Sequence, residues 1–151
     1  MSNTQAMCTS FKGEILSGIH ALGTTVVRGS TAVDTLKAAL FLASATINAA
    51  TTAYAATGEV SGTGYSAGGI TVTNANPPTT SGTTGYWTPS ASLTYTSVTL
   101  STAFDCVLIY NSTQSNKAIS AHTFGSQTVT AGTFTLTMPT SDASNALIRI
   151  A

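Results

Sequence analysis

The sequence predicts an all-β fold, an antiparallel β-barrel or jelly-roll-like sandwich with one short helix at its N-terminus. Three observations carry this expectation. Short runs rich in threonine, valine, isoleucine, tyrosine and phenylalanine alternate with glycine-, proline-, asparagine- and serine-containing turns through the later part of the chain. Thr133-Phe134-Thr135-Leu136-Thr137-Met138 alternates apolar and polar residues strictly, as a strand with one covered face does. Helical spacing of apolar residues is found near the start of the chain. The 151 residues suit one domain, 1–151, with an N-terminal arm and helix at 1–23.

Phe11, Ile15 and Ile19, with Leu22, recur on one side of a helix over Ser10–Leu22, with Leu16 beside them. Ser10 is placed to cap this helix and Gly23 to end it. Gly13 and Gly18 each weaken an isolated helix by about 1 kcal/mol, so it needs a surface to lie on. Thr35–Leu42 fits a strand, although its alanines also suit a helix running on towards Asn48. Ser44–Gly69 reads as a long loop that ends in a glycine-rich stretch with Tyr65 as a packing anchor. Ile70–Thr73 is a short strand, and Asn74–Gly85, with Pro77-Pro78, is a surface excursion. Strands are expected at Ala91–Leu100, Phe104–Tyr110, Lys117–Phe124, Gln127–Thr130, Thr133–Met138 and Ala146–Ile150. Phe104–Tyr110 is the most apolar and is expected at the centre, with a turn over Asn111–Asn116.

Composition narrows the function. Apolar residues make up 42% of the chain but charged residues only 7%, and five basic residues balance five acidic ones. A nearly uncharged, hydroxyl-rich surface lacks the repulsion that keeps monomers apart, and it suits packing into an assembly. The basic residues are dispersed, so there is no run to neutralise successive phosphates and nucleic acid is not expected as a partner. No apolar run is long enough to span a bilayer, and the N-terminus lacks the pattern of a signal peptide. Cys8 and Cys106 are too few for a disulfide framework, and Cys106 in an apolar strand reads as a buried thiol.

Chemical motifs are sparse. Glu14, Asp34, Glu59, Asp105 and Asp142 are the only acids, and His20 and His122 lie far apart in the chain. Neither catalytic nor metal-ligand spacing emerges, and Ser120 and Ser126 beside His122 lack a nearby acid. No enzyme, cofactor or metal is expected. Gly62–Gly69 lacks the lysine and hydroxyl of a phosphate loop and reads as turns. Asn111-Ser112-Thr113 has the form of a glycosylation acceptor and reads as turn chemistry. Tyr86-Trp87 suit either a glycan platform, with other tyrosines nearby, or an interface or core. The candidate interface residues are therefore Phe11, Ile15, Ile19, Tyr65, Tyr86 and Trp87.

Several phrases are similar to those of a small family of tailed-bacteriophage virion proteins. They include Asp34-Thr35-Leu36-Lys37-Ala38-Ala39-Leu40, Glu59–Gly69, Ala103-Phe104, Leu108–Thr113, Val129–Phe134 and Asn145–Ile150. The likeness extends over most of the chain, and Val26–Val33 and Asn74–Gly85 match poorly. It implies a virion structural protein, assembled in the host cytoplasm, that acts as a capsid cement or decoration subunit. The implied partners are the major capsid protein, copies of itself, or both. A neck, tail or fibre station is the alternative within the family, and a glycan-binding module at the host surface is the alternative outside it.

Overall fold

A computed structural model describes residues 2–16, 18–20, 22 and 33–151, with side chains at all of these except 12–14 and 16. In chain order the elements are β1 (Ala6–Met7), α1 (Thr9–Leu16), β2 (Leu36–Leu42), β3 (Ile70–Thr71) and β4 (Thr79–Ser81). They continue with β5 (Thr84–Trp87), β6 (Leu93–Asn111), β7 (Lys117–Leu136) and β8 (Ile148–Ile150). Strands β1-β7-β6-β2-β3 form one antiparallel sheet and β4-β5-β8 a second. Trp87 and Ile148 of the small sheet join the same buried cluster as the residues of the large one. The chain is all-β with a short N-terminal helix. Among the described residues no closed barrel forms, because the large sheet ends in the two-residue strands β1 and β3.

Two long strands build the large sheet. The segments expected as Ala91–Leu100 and Phe104–Tyr110 are one strand, β6, and those from Lys117 to Met138 are one strand, β7. The register shifts that looked like strand breaks are bulges. Ser97 and Ala131 take left-handed backbone there, with φ of 54° and 43°. Asn111 closes the turn between the strands, its Oδ1 accepting from the N–H groups of Thr113 (3.2 Å) and Gln114 (3.1 Å). Strand β6 is central, as its apolar content predicts. β2 is buried on nearly every residue, so it reads as an unbroken apolar run without alternation.

The helix is shorter than its apolar spacing predicts. Gly18 stands at φ +67° and its N–H bonds the Ile15 carbonyl (2.9 Å), so this glycine terminates the helix instead of weakening its middle. Gly23, expected to end it, lies outside the described residues. Ser10 is inside the first turn, and its buried Oγ has no hydrogen-bond partner. The leading N–H groups are met instead by carbonyls from elsewhere, Cys8 by Ile119 (3.1 Å) and Thr9 by Ala49 (2.8 Å). Within Asn74–Gly85 the structure corrects the expectation of an unpaired excursion. β4 and β5 form a hairpin whose two-residue loop begins with Gly82 at φ +58°, the residue such a loop favours in that position.

The loop before β3 is fixed by one carboxylate. Glu59 accepts from Tyr54 Oη (2.6 Å), Tyr65 Oη (2.7 Å) and the Gly68 N–H (2.8 Å). Tyr65 Oη accepts in turn from the Leu40 N–H (3.0 Å), and Tyr110 Oη donates to the Gly68 carbonyl (2.8 Å). Tyr54 stacks on Tyr110, with ring centroids 4.6 Å apart. The loop then runs along β6 so closely that a methyl group at Gly62 would collide with the Thr99 carbonyl oxygen. The Thr99 N–H bonds the Thr63 carbonyl (2.9 Å), which covers an edge of β6 that β2 does not reach.

Two predictions follow from this packing. Gly62→Ala should lower the unfolding free energy by about 2 kcal/mol or more, whereas Gly85→Ala, with its nearest contact at 3.9 Å, should stay within about 0.5 kcal/mol; denaturant titration measures both. Tyr95 is 2% exposed, and burial holds its hydroxyl pKa well above the ordinary value of about 10. Above that ordinary value the unfolded chain releases a proton that the folded chain keeps. Stability should therefore be intact below about pH 10 and fall above it, by at most about 1.4 kcal/mol per pH unit for this residue. Tyr95→Phe should flatten the decline.

Candidate functional site

An apolar cleft of about 300 Å³ lies between the end of α1 and the small sheet. The helix contributes Ile15, the chain after it His20 and Leu22, and the hairpin Pro78, Thr79, Thr80, Gly85, Tyr86 and Trp87. Ile148 and Ile150 of β8 complete the wall, and Ile150 is 49% exposed. Alternation along Ile148-Arg149-Ile150 places both isoleucines on one face of β8. Register then sets Ile148 opposite Trp87 and Ile150 opposite Gly85, where no side chain covers it.

Three of the six candidate interface residues, Ile15, Tyr86 and Trp87, meet at this cleft. Phe11 lies behind it, fully buried, its ring edge-on to His20 at 4.8 Å. Ile19 is half-buried and outside the lining. Tyr65 is elsewhere, held by Glu59 and Leu40. The rings of Phe11 and Trp87, 0% and 1% exposed, offer no surface to another molecule. Trp87 Nε1–H donates to the Asn76 carbonyl (3.0 Å), so the open Tyr86-Trp87 glycan platform is corrected: one of its two rings is core. Tyr54, Tyr65, Tyr95 and Tyr110 are likewise engaged around the loop and strands β2 and β6.

His20 forms the polar part of the cleft wall. Its Nδ1 is 3.0 Å from Asn111 Nδ2, which also donates to Asp34 Oδ2 (2.7 Å). An amide nitrogen only donates, so Nδ1 accepts and the ring proton resides on Nε2. Gln114 Nε2 donates to Asp34 Oδ1 (3.1 Å), and Asn111 and Asp34 are both buried. Their hydrogen bonds tie the β6–β7 turn to the segment entering β2. The cleft can receive an apolar group beside an imidazole.

The second histidine is differently placed. His122 Nε2 is 2.9 Å from Ser120 Oγ on β7, beside a groove of about 690 Å³ that Gln5, Asn145 and Arg149 also line. A serine–histidine pair invites a nucleophilic reading, which its surroundings weaken. Ser120 is 2% exposed, and burial pushes the imidazole pKa down to about 4, making it a weak base. No carboxylate among the described residues bonds to this imidazole to orient it.

Other reactive groups are also enclosed. Cys8 and Cys106 are free and buried, and burial, followed by the neighbouring Asp105 charge, pushes the Cys106 thiol up to about 12. Among the described residues no group of three histidine, cysteine or acidic side chains could hold a metal. The Gly68 N–H of the glycine-rich stretch is given to Glu59, and Gly62 and Gly64 pack against the β6 backbone. Asp142 accepts from the N–H groups of Ser144 (2.8 Å) and Asn145 (2.7 Å); the Asn145 side chain and these amides hold its carboxyl below the usual range.

The depressed His122 pKa has a measurable sign. Between about pH 6.5 and 4 the unfolded imidazole binds a proton that the folded one excludes. Stability should be fully present above about pH 6.5 and decline on acidification by up to about 3 kcal/mol, levelling near pH 4. His122→Gln should remove most of this decline in urea titrations across the pH range.

No family model, curated protein or solved structure matches this chain.

Proposed function

We propose that the chain is a non-enzymatic structural subunit of a bacteriophage virion, a cement or decoration protein that stabilises the shell built by the major capsid protein. The observation that carries this reading is the charge-free β7 hairpin strand. From Ala118 to Met138 the sequence contains no acidic, lysine, arginine or proline residue, and the exposed positions hold threonine, serine, glutamine, glycine and alanine. Such a surface makes short-range hydrogen-bonding and packing contacts without long-range repulsion between copies. Many weak contacts of that kind add up when numerous copies engage one shell. The enclosed thiols, the weak base at His122 and the buried Ser120 favour a structural over a chemical role. The same reading takes the two sheets as layers of a sandwich around their shared core.

Particles assembled without the chain are the test. They should rupture at a lower temperature and under milder osmotic shock than complete particles, and adding the purified chain back should restore resistance. Equal robustness would overturn the cement role. Labelling decides the station: label over the whole head agrees with cement, whereas label at a single vertex replaces it with a neck or tail station.

A further inference from the structure

We infer that the outer edge of β7, from Thr123 to Leu136, is a strand-addition site for a second copy of this chain, joining two large sheets about a twofold axis. Among the described residues this edge has no strand partner. β1 pairs with β7 only at Ala121 and Ser120, and Thr4 then turns away to bond the Ile47 carbonyl (2.9 Å). Strand addition on this edge thus begins within the chain and stops where the free edge begins. Strand edges of natural proteins are usually blunted by charge, proline or brevity. β7 is 20 residues long and has neither charge nor proline after Lys117. Its bulges are the only such device it carries, and they leave Gly132–Leu136 regularly paired with β6 and therefore straight.

The side chains along the edge point to the same occupant. Phe124, Val129, Phe134 and Leu136 face the core yet remain half-buried, because no strand lies beyond them. Phe134 lies 5.0 Å from the buried Phe104 and 5.4 Å from Phe124, centroid to centroid, so the stripe continues the core out to the edge. An added strand would cover it. Antiparallel pairing of one edge with itself is self-complementary: each copy offers the donors and acceptors the other lacks. An edge without charge raises no repulsion against its own copy and carries no sign that would select an oppositely charged partner. This pairing is independent of any station on a particle and is read in solution on the purified chain.

Sedimentation velocity over a concentration series, with hydrogen exchange, tests it. The unmodified chain should form a concentration-dependent dimer, with amide protection over Gly132–Leu136 that grows with dimer fraction. Thr133→Lys with Thr135→Lys, both at exposed positions, should raise the dimer dissociation constant at least about tenfold by setting like charges on facing strands. Thr57→Lys with Ser66→Lys adds the same charge on the exposed loop and should leave the dimer unchanged. Thermal melts of dilute samples establish that both variants fold. A chain that stays monomeric at millimolar concentration would overturn the inference. So would a dimer that the edge variant leaves intact, or one that both lysine pairs weaken equally.

Discussion

The antiparallel pairing of β6 with β7 is the constraint on which the molecule depends. Every other strand of the large sheet attaches to one of these two or to β2, which itself pairs with β6. The half near the Asn111 turn is sandwiched between β1 and β2 and carries the continuous buried run of Cys106 to Asn111. The distal half lacks a flanking strand on the β7 side and is held on the β6 side by the loop around Thr63. One hairpin therefore passes from core to surface along its length. The bulges at Ser97 and Ala131 accommodate that passage by re-aiming residues without ending the pairing.

The scarcity of charge is sharper in the folded chain than in its composition. Asp34 takes Asn111 and Gln114, Glu59 takes two tyrosines and a backbone amide, and Asp105 accepts from Asn3 at 2.5 Å. Asp142 is occupied within its own turn. Four of the five acids thus organise the chain itself, and each joins segments or shapes a bend that apolar burial alone would leave undirected. Glu59 gathers the glycine-rich stretch against β2 and β6, where tyrosines supply both ring packing and hydroxyl donors.

Legibility followed the range of the interactions involved. The all-β class, the central position of Phe104–Tyr110 and the Asn111–Asn116 turn could be read because each rests on local periodicity or turn chemistry. Strand continuity through Ser101–Ala103 could not, since a bulge residue in a polar stretch looks like a loop until its partner strand is known. Gly18 was misassigned because a glycine inside a helical pattern and one at its end differ only in backbone angle. The β4–β5 hairpin had a usable signal in Ser81-Gly82-Thr83-Thr84, masked by Pro77-Pro78. For the cleft, the sequence singled out Ile15 and the Tyr86-Trp87 pair but not Ile148, Ile150 or the Asp34–Asn111–His20 chain. Those residues come together only through contacts that span most of the sequence, and neither spacing nor composition encodes such a meeting.

The topology also orders events during synthesis. β1, β2 and the loop around Glu59 all await partners that lie between Leu93 and Leu136, so more than half of the polypeptide must leave the ribosome before its first strands have anything to pair with. Until then Leu36–Leu42, the longest nearly unbroken apolar run of the early chain, is exposed to whatever else the cell offers. The hairpin, being local, can close first and act as the template on which the earlier segments settle in reverse order of their translation.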